Sequence, residues 1–292
     1  MSSNTAVALI DRQPWLDSVA EALQPAIREA FAAGGAVGQR LQNFLHGTWL
    51  GHPLHSVLTD VPIGAWTVAL VLDAMDEISG RDEFGRAADA SVALGVVGAV
   101  ASAVTGLTDW HETDGRARRV GITHGLMNAT ALTFYATSLA LRRRRNRRAG
   151  RGFSLLGYAI SSAAAYLGGH LVYGEQVGVD HTVGEEPPAK FVAVMAEADL
   201  AEGEMRRVEA DGTGVLLARR GGRVFAMIER CSHFGGPLAE GQLEGDSVRC
   251  PWHGSRFALE DGAVLEGPAV HPQPCLDVRV RDGQIEVRAA ER

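Results

Sequence analysis

At 292 residues the chain has room for two ordinary domains rather than one. Its 46% hydrophobic and 22% charged residues exclude a disordered chain, and three cysteines exclude a disulfide scaffold. A formal net charge of −7 and a pI near 5.8 exclude a globally basic nucleic-acid binder, so nucleic acid is not an expected partner.

The N-terminal residues 1–56 read as amphipathic helices. Trp15, Val19, Leu23, Ile27 and Phe31 recur every four residues, predicting a helix over 14–33 that is interrupted near Pro25. A second apolar stripe (Val37, Leu41, Phe44, Leu45) follows Gly34-Gly35. Both suit a membrane surface or the flank of a bundle. The first 30 residues lack the basic start and apolar core of a signal peptide.

The mean hydropathy of −0.01 conceals a greasy half joined to a polar one. Residues 90–108, 120–141 and 152–174 contain no Asp, Glu, Lys or Arg. Each run is close to the roughly 20 residues that a spanning helix needs. A fourth stretch, 57–75, carries Asp60 and Asp73, the latter near an end where a charge costs less. The expected fold of 57–175 is an all-α four-helix transmembrane bundle; the alternative is a buried bundle in a soluble protein. Arg81, Arg86 and seven arginines between Arg142 and Arg151 occupy connections on one face, against Arg40, Arg116, Arg118 and Arg119 on the other. The positive-inside rule then places both termini on the non-cytoplasmic side of the cell membrane.

His52 and His55 precede the first expected span, His111 follows the second, His124 opens the third and His170 lies near the end of the fourth. In an up-and-down bundle these positions share one face. His124 and His170 lie about four residues, or roughly 6 Å, inside their uncharged runs. Imidazoles at matched depth are candidate axial ligands for a b-type haem. A hydrogen-bonded structural network and a quinone pocket are the alternatives, and His52, His55, His124 and His170 are the candidate cofactor-binding residues.

Residues 176–189, with Pro187-Pro188, read as a linker, and 190–292 as a small antiparallel β domain. Two hairpins are signalled there: 214–219 and 223–228 flank Gly221-Gly222, and 276–280 and 284–287 flank Asp282-Gly283. The surplus acid resides here, since residues 1–181 have net charge −1 and 182–292 have −6. Two loops carry the metal chemistry. Cys231-Ser-His233 is followed, after 16 residues, by Cys250-Pro-Trp-His253. A Cys₂His₂ zinc site is the generic reading. One Cys and one His per loop, however, suits a pair of irons with two Cys on one and two His on the other. Cys275 stands alone at a strand start and reads as a small buried hydrophobe.

With its Gly235-Gly236-Pro237 turn and its later Gly267-Pro268 loop, this stretch resembles the Rieske [2Fe–2S] domain, as a small antiparallel β sandwich with cluster-binding loops. The resemblance implies a [2Fe–2S] cluster with Cys231 and Cys250 on one iron and His233 and His253 on the other. It also implies that Ser255 donates to a cluster sulfur. Respiratory Rieske proteins carry an extra cysteine in each loop; Gly236 and Trp252 stand there in this sequence, so that disulfide is absent. Phe257 replaces a tyrosine donor. Both departures point to a ferredoxin-like subtype, with a potential in the lower part of the roughly −150 to +300 mV Rieske window. The stretches 52–66, 106–110 and 168–174 resemble a functionally uncharacterised bacterial four-helix membrane family whose members occur fused to Rieske domains.

The expected function is a membrane-anchored electron-transfer protein, a component of an oxidoreductase system. It would pass electrons between a redox partner and a haem or quinone at the membrane domain. The alternative is a redox or iron–sulfur sensor or assembly subunit without turnover. Expected partners are a redox protein, the lipid bilayer, and a second copy of the chain or a respiratory complex. An oxygenase is not expected, because no downstream domain offers a two-His, one-carboxylate iron site.

Overall fold

The computed structural model describes residues 5–290. The chain forms two compact units. One comprises residues up to Gly38 with Pro53–Val177, and the other Gln39–His52 with the residues from Gly178 onward.

Seven helices are present among the described residues: α1 (Thr5–Asp11), α2 (Trp15–Ala33), α3 (Gly35–His46), α4 (Leu54–Ser79), α5 (Asp82–Trp110), α6 (Gly115–Arg143) and α7 (Arg147–Tyr173). Four are the expected long helices, α2 and α3 carry the two N-terminal apolar stripes, and α1 is a short additional helix before them. By length and composition α4, α5 and α7 suffice to cross a membrane. The fourth, α6, is as long as α5 but more polar: Arg116, Arg118 and Arg119 occupy its first turns, and Thr130, Thr133 and Thr137 its middle. These three hydroxyls donate to the carbonyls four residues back, which satisfies them inside the helix.

The first turns of α6 also receive α2. Asp17 accepts from Arg119 Nη2 at 2.6 Å and from Arg118 Nη2 at 2.9 Å. Arg119, and then Arg118, holds the Asp17 carboxyl down at about 2. The unfolded value is about 3.9, so this group favours the docked state above that pH. The contribution disappears as pH falls toward 2. Proteolysis of α2 should therefore rise between about pH 4 and pH 2, and Asp17→Asn should remove that rise.

The pairs α4–α5 and α6–α7 pack closely as helical hairpins, and they repeat one another. Residues of α6 stand 69 positions after their counterparts in α4, and residues of α7 stand 62 after theirs in α5. Trp66 and Tyr135 are one equivalent pair, stacked with centroids 3.8 Å apart and planes at 10°. Each ring lies on a glycine of its own hairpin. A Cβ on Gly95 would fall 2.2 Å from Trp66 Nε1, and one on Gly157 would fall 2.9 Å from Tyr135 Cε2. Asp73 and Arg142 are a second equivalent pair, joined as a buried ion pair. Both pairs therefore lie on an internal twofold.

The C-terminal unit is built from two antiparallel sheets. Strands β1 (Val192–Ala196), β2 (Met205–Ala210), β3 (Thr213–Arg220), β4 (Arg223–Ile228), β9 (Cys275–Arg281) and β10 (Gln284–Ala289) form the larger, in the order β1-β10-β9-β4-β3-β2. Strands β5 (Gln242–Glu244), β6 (Ser247–Arg249), β7 (Arg256–Ala258) and β8 (Val264–Glu266) form the smaller in sequence order. Both expected hairpins are present, turning on Gly221-Gly222 and on Asp282-Gly283 with positive φ at all four residues. The period of two divides β3 between two cores. Val215 and Leu217 join Ile228, Ile285 and Val287, while Leu216 joins Leu238, Val248 and Phe257. Residues from Gly178 belong to this unit: Thr213 Oγ1 donates to Glu186 O, and Ala289 N donates to Pro188 O.

Candidate metal centre

The metal chemistry sits on two loops, one after β4 and one between β6 and β7, and both are folded by the same rule. Cys231 N donates to Gly236 O at 2.9 Å, and Gly235 N returns to Cys231 O at 2.9 Å. In the second loop Cys250 N donates to Ser255 O at 2.8 Å, and Gly254 N returns to Cys250 O at 3.2 Å. The returning residue has φ of +73° at Gly235 and +75° at Gly254, a conformation that glycine adopts without steric cost. Each turn also aims two amides at its own sulfur: those of His233 and Phe234 at Cys231, and those of Trp252 and His253 at Cys250.

The two loops meet across Gly236. A Cβ there would lie 3.0 Å from Cys250 Sγ and 3.0 Å from the Trp252 ring. The buried thiols of Cys231 and Cys250 are hydrogen-bonded to one another. Sharing that proton pulls the Cys250 thiol down to about 7 and pushes Cys231 well above the usual thiol range, with burial raising it further. The imidazoles of His233 and His253 form the other pair, with centroids 5.1 Å apart. His233 Nδ1 is buried without a hydrogen-bond partner among the described residues. Burial holds this ring well below the ordinary imidazole range, reinforced by His253, His46 and His181.

A buried polar atom with no partner is costly unless something else binds it. Among the described residues no three His, Cys, Asp or Glu side chains converge on one metal ion. A thiol pair beside an imidazole pair is instead the donor set of a two-iron cluster, where each iron takes two protein ligands and bridging sulfides supply the rest. The residues present fit that group.

Support comes from the surrounding side chains, of which Gln273, Asn43 and His46 were not singled out by the sequence. Gln273, buried, accepts from Ser232 N at 3.0 Å and donates to Ile228 O and Arg230 O, tying the first loop to β4. Ser232 Oγ donates to His271 O at 2.8 Å. Ser255 Oγ accepts from Ala269 N at 2.9 Å, which anchors the Gly267-Pro268 loop and leaves the hydroxyl proton to donate. Residues 39–52 also belong to this unit. Asn43 Oδ1 accepts from Gly267 N at 3.1 Å, His46 packs against Gly267, and the His52 ring lies 5.6 Å from that of His271. Cys275 is half-buried, with its thiol pushed up to about 11 by burial and so unreactive at neutral pH.

Residues 190–278 match the model of the Rieske [2Fe–2S] domain. Ferredoxin CarAc of Metapseudomonas resinovorans is 31% identical over 103 residues, a match that covers 35% of this chain and 96% of that protein. The chain belongs to the Rieske [2Fe–2S] family. Residues 51–181 match a second model, described as a predicted membrane protein (DUF2231), so the Rieske domain is fused to a membrane-protein domain. Apoptosis-inducing factor 3 of Homo sapiens is 31% identical over 135 residues, 45% of this chain; the chain spans only 22% of its length. Among solved structures, the ferredoxin of carbazole 1,9a-dioxygenase from Nocardioides aromaticivorans IC177 matches with 30% identity and a TM-score of 0.34, covering 35% of this chain and all of that one.

The histidines before the Rieske domain divide between the units. His46, His52 and His181 lie in the Rieske unit, with the His181 ring 5.5 Å from Phe234. His55 and His124 are brought together in the helical unit, with ring centroids 6.5 Å apart. His170 is not paired with His124 as its matched depth suggested; its Nε2 lies 3.1 Å from Glu175 Oε1. The reason is where the helices begin. Helix α4 starts at Leu54, directly after Pro53, so His55 is helical, and α6 starts at Gly115, which carries His124 more than two turns inward.

Proposed function

We propose that this protein is a membrane-anchored one-electron carrier whose Rieske cluster is held by Cys231, Cys250, His233 and His253. The observation carrying this reading is the pair of equivalent loops that set two thiols together and two imidazoles together. When bound, the cluster supplies a one-electron couple. The chain's part is to hold it dry, aim two loop amides at each of the Cys231 and Cys250 sulfurs, offer the Ser255 hydroxyl, and present the His233–His253 pair. Two sequence relatives are named as ferredoxins: CarAc, and the 3-phenylpropionate/cinnamic acid dioxygenase ferredoxin subunit of Escherichia coli (strain K12), 37% identical over 95 residues. They support a redox protein as the exchange partner.

The helical unit anchors the carrier in this reading, and a haem or quinone there takes or supplies the electron. The arginine distribution supports a Rieske domain on the non-cytoplasmic face. The test is to purify the full chain in detergent, reduce it, and follow the low-average-g electron paramagnetic resonance signal of a Rieske centre. Loss of that signal on adding a soluble one-electron oxidant supports the carrier. A cluster that forms yet exchanges electrons with neither a protein oxidant nor a quinone analogue supports the sensor instead.

Ser255→Ala should keep the cluster but lower its midpoint potential by roughly 20–60 mV, the one-electron equivalent of a hydrogen bond of about 0.5–1.5 kcal/mol. Redox titration of the signal measures it, and an unchanged potential removes Ser255 from the cluster's environment.

A further inference from the structure

We propose that His55 and His124 are the two axial ligands of a haem bound on the internal twofold of the helical unit. The inference rests on the electron-transfer reading for its role, but its geometry stands independently.

The two residues are equivalent in the hairpin repeat, 69 positions apart like Trp66–Tyr135 and Asp73–Arg142. Their surroundings repeat as well. His55 Nδ1 lies 2.8 Å from Ser102 O, and His124 Nδ1 lies 2.8 Å from Ala164 O, a carbonyl at the equivalent place in α7. Each ring lies on the glycine four residues beyond that carbonyl. A Cβ on Gly106 would stand 2.7 Å from His55 Cε1, and one on Gly168 would stand 3.1 Å from His124 Cε1. Glycine at both positions thus lets the imidazoles seat against the helix backbone.

A carbonyl only accepts, so each Nδ1 carries its ring's proton and each neutral ring keeps a lone pair on Nε2. Anchoring one ring nitrogen to a carbonyl is how a ligating histidine is fixed in tautomer and orientation. The centroids are 6.5 Å apart and the ring planes stand at 90°. Two metal–nitrogen bonds of about 2 Å each, with the ring radii, span about 6 Å. No third His, Cys, Asp or Glu completes a site for a bare ion among the described residues. Two donors alone suit a metal whose other positions a macrocycle already fills. The remaining polar contact is Asn128, whose Nδ2 lies 3.1 Å from His124 Nε2 and 3.0 Å from His124 O. It can release the ring and keep the carbonyl. An oxidised quinone is served less well, because both ring protons are committed to carbonyls and only Asn128 could donate to it. The iron would pass between ferric and ferrous by one electron, matching the single electron released when the reduced cluster is oxidised.

The test uses the full chain produced in cells supplied with 5-aminolaevulinate and purified in detergent. The expected product carries stoichiometric haem with a low-spin spectrum, and a highly anisotropic ferric paramagnetic signal from the perpendicular imidazole planes. His55→Ala and His124→Ala should each abolish the low-spin haem while the Rieske signal keeps its intensity, and His170→Ala should retain both. Where alanine unsettles the bundle, His55→Gln and His124→Gln preserve volume and a donor to the same carbonyl without offering an iron ligand, and should lose haem while folding. Absence of haem from the unaltered chain, or low-spin haem surviving in the His55 and His124 variants, overturns the assignment. An active cluster without haem overturns only this inference. A haem-bearing chain whose cluster exchanges no electrons overturns the carrier reading instead.

Discussion

Replacing Cys231 by serine is expected to abolish the Rieske signal and the visible absorption of the cluster, and to loosen the unit around it. Serine offers a hard oxygen where soft sulfur is needed, and at neutral pH its hydroxyl is not ionised. The structural cost extends further, because Cys231 and Cys250 are part of the core that contains Leu216, Leu238, Val248, Phe257 and Leu259. A metal group bound at such a position contributes its binding free energy to folding. Without it, His233 Nδ1 is left buried with no partner among the described residues. We expect Cys231→Ser to lower the unfolding temperature of the Rieske unit and to raise proteolysis at both loops. A variant that kept its absorption would remove Cys231 from the ligand set.

Arg142→Ala is expected to cost the helical unit about 3–5 kcal/mol, the usual penalty for removing one partner of a buried pair. The Arg142 side chain is fully buried and bidentate on Asp73, and it also reaches Asp89 Oδ1 at 3.0 Å, Ser138 Oγ at 3.0 Å and Ser154 Oγ at 3.2 Å. Alanine would leave the buried Asp73 carboxylate, among the described residues, with only the longer ion pair to Arg151 Nε, at 3.5 Å. The decisive measurement is thermal unfolding in detergent of Arg142→Ala, Asp73→Ala and the double variant. The double variant should be more stable than Arg142→Ala, because it removes the under-compensated buried carboxylate as well as the pair. Strict additivity would mean that the two residues do not interact.

The residues of the metal centre were legible because their chemistry is local. Each loop brings its own Cys, His and left-handed glycine within a few positions, so spacing picks the residues out, and the resemblance supplies the two-iron reading. Gln273, Asn43 and His46 were not legible, because what they do depends on contacts across the fold that no periodicity records. The helical repeat was hidden for another reason. Its few identical positions, His55 with His124 and Gly106 with Gly168 among them, are scattered among unlike ones such as Trp66 with Tyr135 and Asp73 with Arg142. Which of the candidate histidines come together was not legible for want of helix starts. An uncharged run marks where charge stops, whereas α6 begins several residues earlier, through Arg116, Arg118 and Arg119. That shift moved His124 from a boundary to a partnership with His55.

The membership of residues 39–52 in the Rieske unit has a consequence for how the protein is made. Asn43 reaches Leu265 and Gly267 across 222 and 224 positions of sequence. The first piece leaves the ribosome before α4, and the second only after α7. In the membrane-anchored reading proposed above, both pieces would have to finish on the same side of the bilayer, which would require an even number of intervening crossings. The polar α6 would then cross beside the three apolar helices. Completion of the Rieske unit would in that case report a correctly counted insertion, because a chain with a miscounted crossing could not bring Asn43 to Gly267.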